Sequence, residues 1–112
     1  MEKNQIISCG IYLFSNNKFL IGHPTGFRSN IWSIPKGRMD KDETDYFKTA
    51  KRELLEETGL NLDTLNVSSI KELGITRHRE TNKYLKAFCV KVSDNLEETL
   101  TQNAFRYLLV SL

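Results

Sequence analysis

The chain has 112 residues, 39% hydrophobic and 27% charged, which is ordinary globular composition with enough apolar material for one core and one domain spanning 1–112. A net charge of +2 is too small to argue for a nucleic-acid platform or for adhesion to a membrane, so nucleic acid is the disfavoured partner. No charged-then-apolar leader and no apolar run of membrane-spanning length is visible, and the expectation is a cytoplasmic protein with no membrane partner.

In chain order, Gln5 to Phe14 is a nearly continuous apolar run and predicts a central strand covered on both faces. Ser15 to Lys18 reads as a tight turn into a second strand, Phe19 to Gly22. His23 to Asn30 is a loop, and Ile31 to Ile34 a short third strand. A helix is expected from about Thr44, as N-cap, to Thr58, with Phe47, Ala50 and Leu54 facing the core and Gly59 closing it in a left-handed cap. Val67 to Ile75 and Tyr84 to Val92 read as two more strands joined by the polar segment Thr76 to Lys83. From Ser93 onward an amphipathic stretch could cover one sheet face as a helix through Leu96, Leu100, Phe105, Leu108 and Leu109. Strands alternating with helices at these intervals indicate a mixed α/β layered domain. Cys9 and Cys89 have no CxxC spacing and stand among apolar residues, so buried free thiols are expected.

The most informative feature is the crowding of Glu53, Glu56 and Glu57 just before Gly59. On a helix turning about 100° per residue, positions i, i+3 and i+4 share one stripe. Like charges at that spacing repel, and acids near a helix C-terminus oppose the macrodipole, so a positive partner is expected and a divalent cation would reverse both penalties. A solvated face paired with Lys48, Lys51 and Arg52 is the plainer alternative, but it has no need of the flanking Gly37, Glu43 and Gly59. Carboxylates without histidine or cysteine form an all-oxygen donor set, which suits Mg²⁺ or Mn²⁺ and disfavours Zn²⁺.

The stretch Gly37 to Leu60 resembles the Nudix box, Gly-x5-Glu-x7-Arg-Glu-U-x-Glu-Glu-x-Gly-U, with U a bulky aliphatic residue. Gly37, Glu43, Arg52, Glu53, Leu54, Glu56, Glu57, Gly59 and Leu60 fill every specified type, and the preceding Trp32-x-x-Pro35-x-Gly37 is also frequent in that family. One spacing departs, since eight residues rather than seven separate Glu43 from Arg52. The extra residue either lengthens the loop or rotates what precedes it by about 100°, so it bears on Glu43 and leaves 52–59 intact.

The resemblance implies an α/β/α sandwich around a mixed β-sheet, of the Nudix type, with a C-terminal part that is short for that fold. It implies the Gly37 carbonyl and the Glu53, Glu56 and Glu57 carboxylates as Mg²⁺ ligands, with Mn²⁺ able to substitute. It further implies hydrolysis of a pyrophosphate linkage in a nucleoside diphosphate joined to another group, such as a nucleoside triphosphate or dinucleoside polyphosphate. Removal of pyrophosphate from an RNA 5′ end, or a non-catalytic nucleotide-binding module, are the alternatives. Arg52 is expected to orient a glutamate, and the general base to come from Glu53, Glu56 or an outside residue such as Glu97 or Glu98. For substrate binding, Arg77, His78, Arg79, Lys83 and Lys86 form a basic concentration that could hold phosphates, although an edge strand in water would look the same. Trp32 and Phe27 could stack on a base, although a tryptophan just before the box is more often a core residue.

Overall fold

The computed structural model describes residues 5–22, 32–99 and 107–111. Six strands form one mixed sheet: β1 (Ile6–Ser15), β2 (Lys18–Gly22), β3 (Lys36–Arg38), β4 (Val67–Arg77), β5 (Lys83–Val92) and β6 (Tyr107–Ser111). The helices are α1 (Tyr46–Thr58), a single 3₁₀ turn (Leu62–Thr64) and α2 (Leu96–Thr99). This is the layered α/β architecture expected, a mixed sheet with helices beside it.

The strand order is β4-β5-β1-β2-β6, with β3 also paired to β1. The apolar run of β1 places it centrally. One edge pairs in parallel with β5 from Ile6 to Phe14, and the other is shared by β3 at Ser8–Gly10 and β2 at Phe14–Ser15. Among the described residues, only the pairing of β1 with β5 is parallel. The tight turn falls on Asn16 and Asn17, both with positive φ (52° and 63°), a conformation asparagine tolerates.

The core lies between the sheet and α1. Ile11 and Leu13 of β1, Phe88 and Val90 of β5, and Ala50 and Leu54 of α1 are buried together. Phe47 meets Phe88 edge to face with ring centroids 5.0 Å apart, which fixes the N-terminal half of α1 over β5. Leu54 is fully buried, and truncation to Ala would cost about 2–5 kcal/mol. Tyr12, on the sheet's other face, is 40% exposed, so the central strand is not covered equally on both sides.

Several sequence expectations need correction. The N-cap is Asp45 and not Thr44: its carboxylate accepts from the Phe47 and Lys48 N–H groups at 2.9 and 3.1 Å, taking two of the helix's orphan donors. At the other end Gly59 adopts the left-handed cap (φ 78°) and donates to the Leu55 carbonyl, as expected. The third strand is not at 31–34. Ile31 lies outside the described residues, Ser33 makes a single bridge to Gly22, and the strand is Lys36–Arg38, recruited by the free edge of β1. β4 and β5 run longer than expected, to Arg77 and from Lys83. The C-terminal stretch is not one helix: α2 ends at Thr99, and Leu108 and Leu109 belong to β6, which pairs antiparallel with β2. Leu100 and Phe105 lie outside the described residues. Both cysteines are free, but only Cys9 is buried; Cys89 is half-buried. Among the described residues, no helix is long and apolar enough to cross a membrane.

Candidate functional site

The carboxylates are organised by contacts between α1 and the strand that precedes it. Gly37 pairs with Cys9 in the sheet, and the Glu53 carboxylate lies directly over it; a methyl group at position 37 would overlap that carboxylate. Glycine leaves room here for the carboxylate by close approach rather than by backbone conformation. One residue back, the Lys36 N–H donates to Glu57 Oε2 at 3.1 Å. The backbone of Lys36 and Gly37 is therefore the floor on which two glutamates of α1 converge.

Arg52 ties the rest together. Its Nε and Nη2 donate to Glu43 at 3.0 and 2.8 Å, Nη1 donates to Glu53 at 2.8 Å and to both Glu56 oxygens at 3.0 and 3.1 Å, and Nη2 reaches the Arg38 carbonyl at 3.2 Å. Glu43 sits in the loop two residues before the cap. A turn holds it there, in which Glu43 N–H donates to the Asp40 carbonyl and Asp40 N–H donates back to Glu43 Oε1 at 2.8 Å. The extra residue between Glu43 and Arg52 is absorbed without separating the two. Glu43 is the participant that sequence spacing put in doubt, and the guanidinium fork shows its place.

Charge behaviour follows from these contacts. The Arg52 hydrogen bonds, helped by the Asp40 N–H, hold the Glu43 carboxyl down at about 2, and Glu43 in turn raises Arg52 above the ordinary arginine range. Glu53, with a side chain only 14% exposed, is shifted upward, chiefly because burial disfavours its charged form. Beneath it, burial pushes the Cys9 thiol to about 11.

The donor chemistry is all oxygen, and Glu53 over Gly37 with Glu57 on the Lys36 N–H brings carboxylates onto one floor, so the residues fit a hard divalent ion. As placed, Glu56 is bound to Arg52, and among the described residues no three acidic, histidine or cysteine side chains enclose a cation position.

The expected substrate residues are partly brought together. Trp32, Arg77 and Lys83 line one groove of about 590 Å³ at the tip of the β4–β5 hairpin, joined by Lys36, His78 and Tyr84. Among the described residues, no carboxylate lines it. Arg77 is braced there by its Nε–H bond to the Thr81 carbonyl at 2.7 Å. Lys36 connects the two regions, since its N–H donates to Glu57 and the residue also lines the groove. Sequence reading missed Lys36 and Tyr84. The Lys-Gly-Arg of β3 carries no strand signal, and Tyr84 looked like an ordinary strand residue.

Arg79 is not in the groove; it occupies the hairpin turn with φ 51°. Lys86 is not there either, being buried and turned toward β4. Glu97 pairs with Lys18 beside the β1–β2 turn, about 20 Å along β1 from Cys9 by strand rise, and so stands away from the carboxylate floor, as does its helix neighbour Glu98. Phe27 and His23 lie outside the described residues.

The model of the NUDIX domain matches residues 5–107, and the chain therefore belongs to the NUDIX domain family. A 17.7 kDa protein of Enterobacteria phage T4 is 32% identical over 92 residues, covering 77% of this chain and 59% of its own length. Among solved structures, a NUDIX hydrolase from Nitrosomonas europaea superposes with a TM-score of 0.73 at 18% identity, over 99% of this chain and 60% of that one. The Ap4A hydrolase of C. elegans superposes with a TM-score of 0.70 at 18% identity, over 96% and 80%. The chain thus spans about three fifths of the phage protein and of the N. europaea protein.

Proposed function

We propose that this chain is a Mg²⁺-dependent hydrolase that cleaves a pyrophosphate linkage in a nucleoside triphosphate or dinucleoside polyphosphate. The observation that carries the reading is the floor at Lys36 and Gly37, where the Glu53 carboxylate occupies the space a Cβ would take and Glu57 accepts the neighbouring N–H. The Gly37 carbonyl with Glu53, Glu56 and Glu57 would hold Mg²⁺, and Mn²⁺ would substitute in the same oxygen set. When bound, the ion supplies neutralisation of phosphate charge and a more acidic water nucleophile.

Around that ion the chain's own groups divide the work. Arg52 is anchored on Glu43 by one side of its fork, and its remaining nitrogen orients Glu53 and Glu56. Glu53 or Glu56 takes the proton from the attacking water; the upward shift of Glu53 brings it nearer to the range useful for a general base. Lys36, Arg77 and Lys83 meet the phosphates outside the metal, and Trp32, 39% exposed, offers a face for a nucleobase. The Ap4A hydrolase likeness supports a polyphosphate-bridged nucleotide among the substrates, and a cytoplasmic location belongs to the same proposal.

The experiment is phosphate and pyrophosphate release from a panel of nucleoside triphosphates, dinucleoside polyphosphates, nucleotide sugars and 5′-triphosphorylated RNA, each with Mg²⁺ and with chelator. Metal-dependent cleavage of one nucleotide class is the expected result. Cleavage confined to the RNA would move the assignment to 5′-end processing, and silence from folded protein that binds Mg²⁺ would move it to a binding module.

A further inference from the structure

Lys86 lies outside both the carboxylate floor and the groove, yet its side chain is only 9% exposed. Its Nζ donates to the Leu73 carbonyl at 2.6 Å, pairs with Glu72 at 2.6 Å and stands 5.6 Å from the Phe88 ring centroid. All three partners surround a bulge. The β4–β5 ladder pairs Glu72 with Phe88 and resumes with Ile75 opposite Lys86, so β4 carries one residue more than β5 across that step.

The extra residue reverses the sheet face that the outer part of β4 presents. A continuous ladder would set Arg77 opposite Lys83; the bulge sets it opposite Tyr84. Everything the hairpin gives the groove, namely Thr76, Arg77, His78, Lys83, Tyr84 and Leu85, lies on the tip side of this bulge. An apolar residue at 86 would leave the Leu73 carbonyl without this donor, whereas a lysine brings three donors on a long stem.

We propose that Lys86 is a positioning residue for the groove: it clamps the bulge at Leu73 and Glu72, and through the bulge fixes the face from which β4 delivers Arg77. The inference rests on the groove being the nucleotide site of the proposed hydrolase.

Trp32 is the single tryptophan of the chain and lines the groove, so its fluorescence reports ATP binding directly. The variants are Lys86→Met and Glu72→Gln, the latter on a side chain 66% exposed that leaves the Leu73 bond in place. In Lys86→Met the Kd for ATP and the KM of the best panel substrate should rise about tenfold with kcat within about twofold of wild type, the signature of lost binding rather than lost chemistry. Glu72→Gln should raise both by about two- to threefold. A Lys86→Met protein that is less stable to heat but binds ATP with wild-type Kd overturns the proposal, because a purely structural clamp does that. If Lys86→Met does not fold, an unchanged Kd in Glu72→Gln overturns it instead. Wild-type protein blind to ATP removes the groove as a nucleotide site and the role of Lys86 with it, a result distinguishable from wild-type and variant binding alike.

Discussion

On the α1 side, Glu43, Glu53, Glu56 and Glu57 are held by partners from the loop, from β3 and from the helix itself, whereas on the hairpin side β4 is exposed along nearly its whole length and is held by β5 and a bulge clamp. The first region is fixed by many short contacts around one guanidinium. The second depends on backbone register. The difference has a chemical logic: charge stabilisation at a reacting phosphorus needs groups placed to a fraction of an ångström, while a groove for the remote part of a substrate tolerates adjustment. Substitutions on the two sides should therefore fail in different parameters.

The largest effect is expected from Glu57→Gln, which keeps the shape and removes a charge from the carboxylate floor. Turnover should fall by at least about a hundredfold while the melting temperature changes little, measured by phosphate release and thermal unfolding. Gly37→Ala should come next. A methyl there displaces the Glu53 carboxylate, so Mg²⁺ affinity and turnover should both drop by about ten- to a hundredfold, while stability changes little because the flexible end of Glu53 gives way, seen by calorimetric metal titration and denaturant unfolding.

On the hairpin side, Arg77→Ala with Lys83→Ala should raise KM about tenfold and leave kcat within about twofold, since the pair touches only the groove. A matching loss of kcat would erase the proposed division between the regions.

The acid response sharpens the contrast. The Glu43 carboxyl titrates at about 2 in the folded protein against an ordinary 4.5, a lowered value, so its pairing with Arg52 contributes stability that is complete above about pH 4.5 and lost as pH falls through about 2. Carboxyl NMR titration should find Glu43 still ionised at pH 3, and Glu43→Gln should lose that part of the acid dependence. The smallest effect is expected from Cys9→Ser with Cys89→Ser. With the Cys9 thiol at about 11 it stays protonated near neutrality, and the double variant should keep its activity in the release assay.

What was legible in the sequence follows the same division. The α1 stripe of Phe47, Ala50 and Leu54, the Gly59 cap and the glutamates at i, i+3 and i+4 could be read because helical periodicity and cap chemistry are local. So could β1, from its apolar run. β3 could not, because Lys36-Gly37-Arg38 becomes a strand only by pairing with β1 at Ser8–Gly10. Leu108 and Leu109 could not be told from a helix face, because a short apolar run carries no period of its own, and β2 decides the matter. Lys86 was grouped with its neighbours in a basic concentration that either holds phosphates or faces water, and it does neither, being buried against β4. Alternation along β5 puts Lys86 on the buried face of Phe88, Val90 and Val92, but the carbonyl that makes a lysine tolerable there belongs to a bulge in the neighbouring strand and leaves no mark on the local sequence.

The most direct test of the account compares Glu57→Gln with the Arg77→Ala, Lys83→Ala pair in one experiment, following ATP binding by Trp32 fluorescence and Mg²⁺-dependent phosphate release from the best panel substrate. The account predicts that Glu57→Gln binds with wild-type Kd but does not turn over, and that the pair binds weakly but turns over at a near wild-type kcat once saturated. Loss of the same parameter in both variants would contradict it.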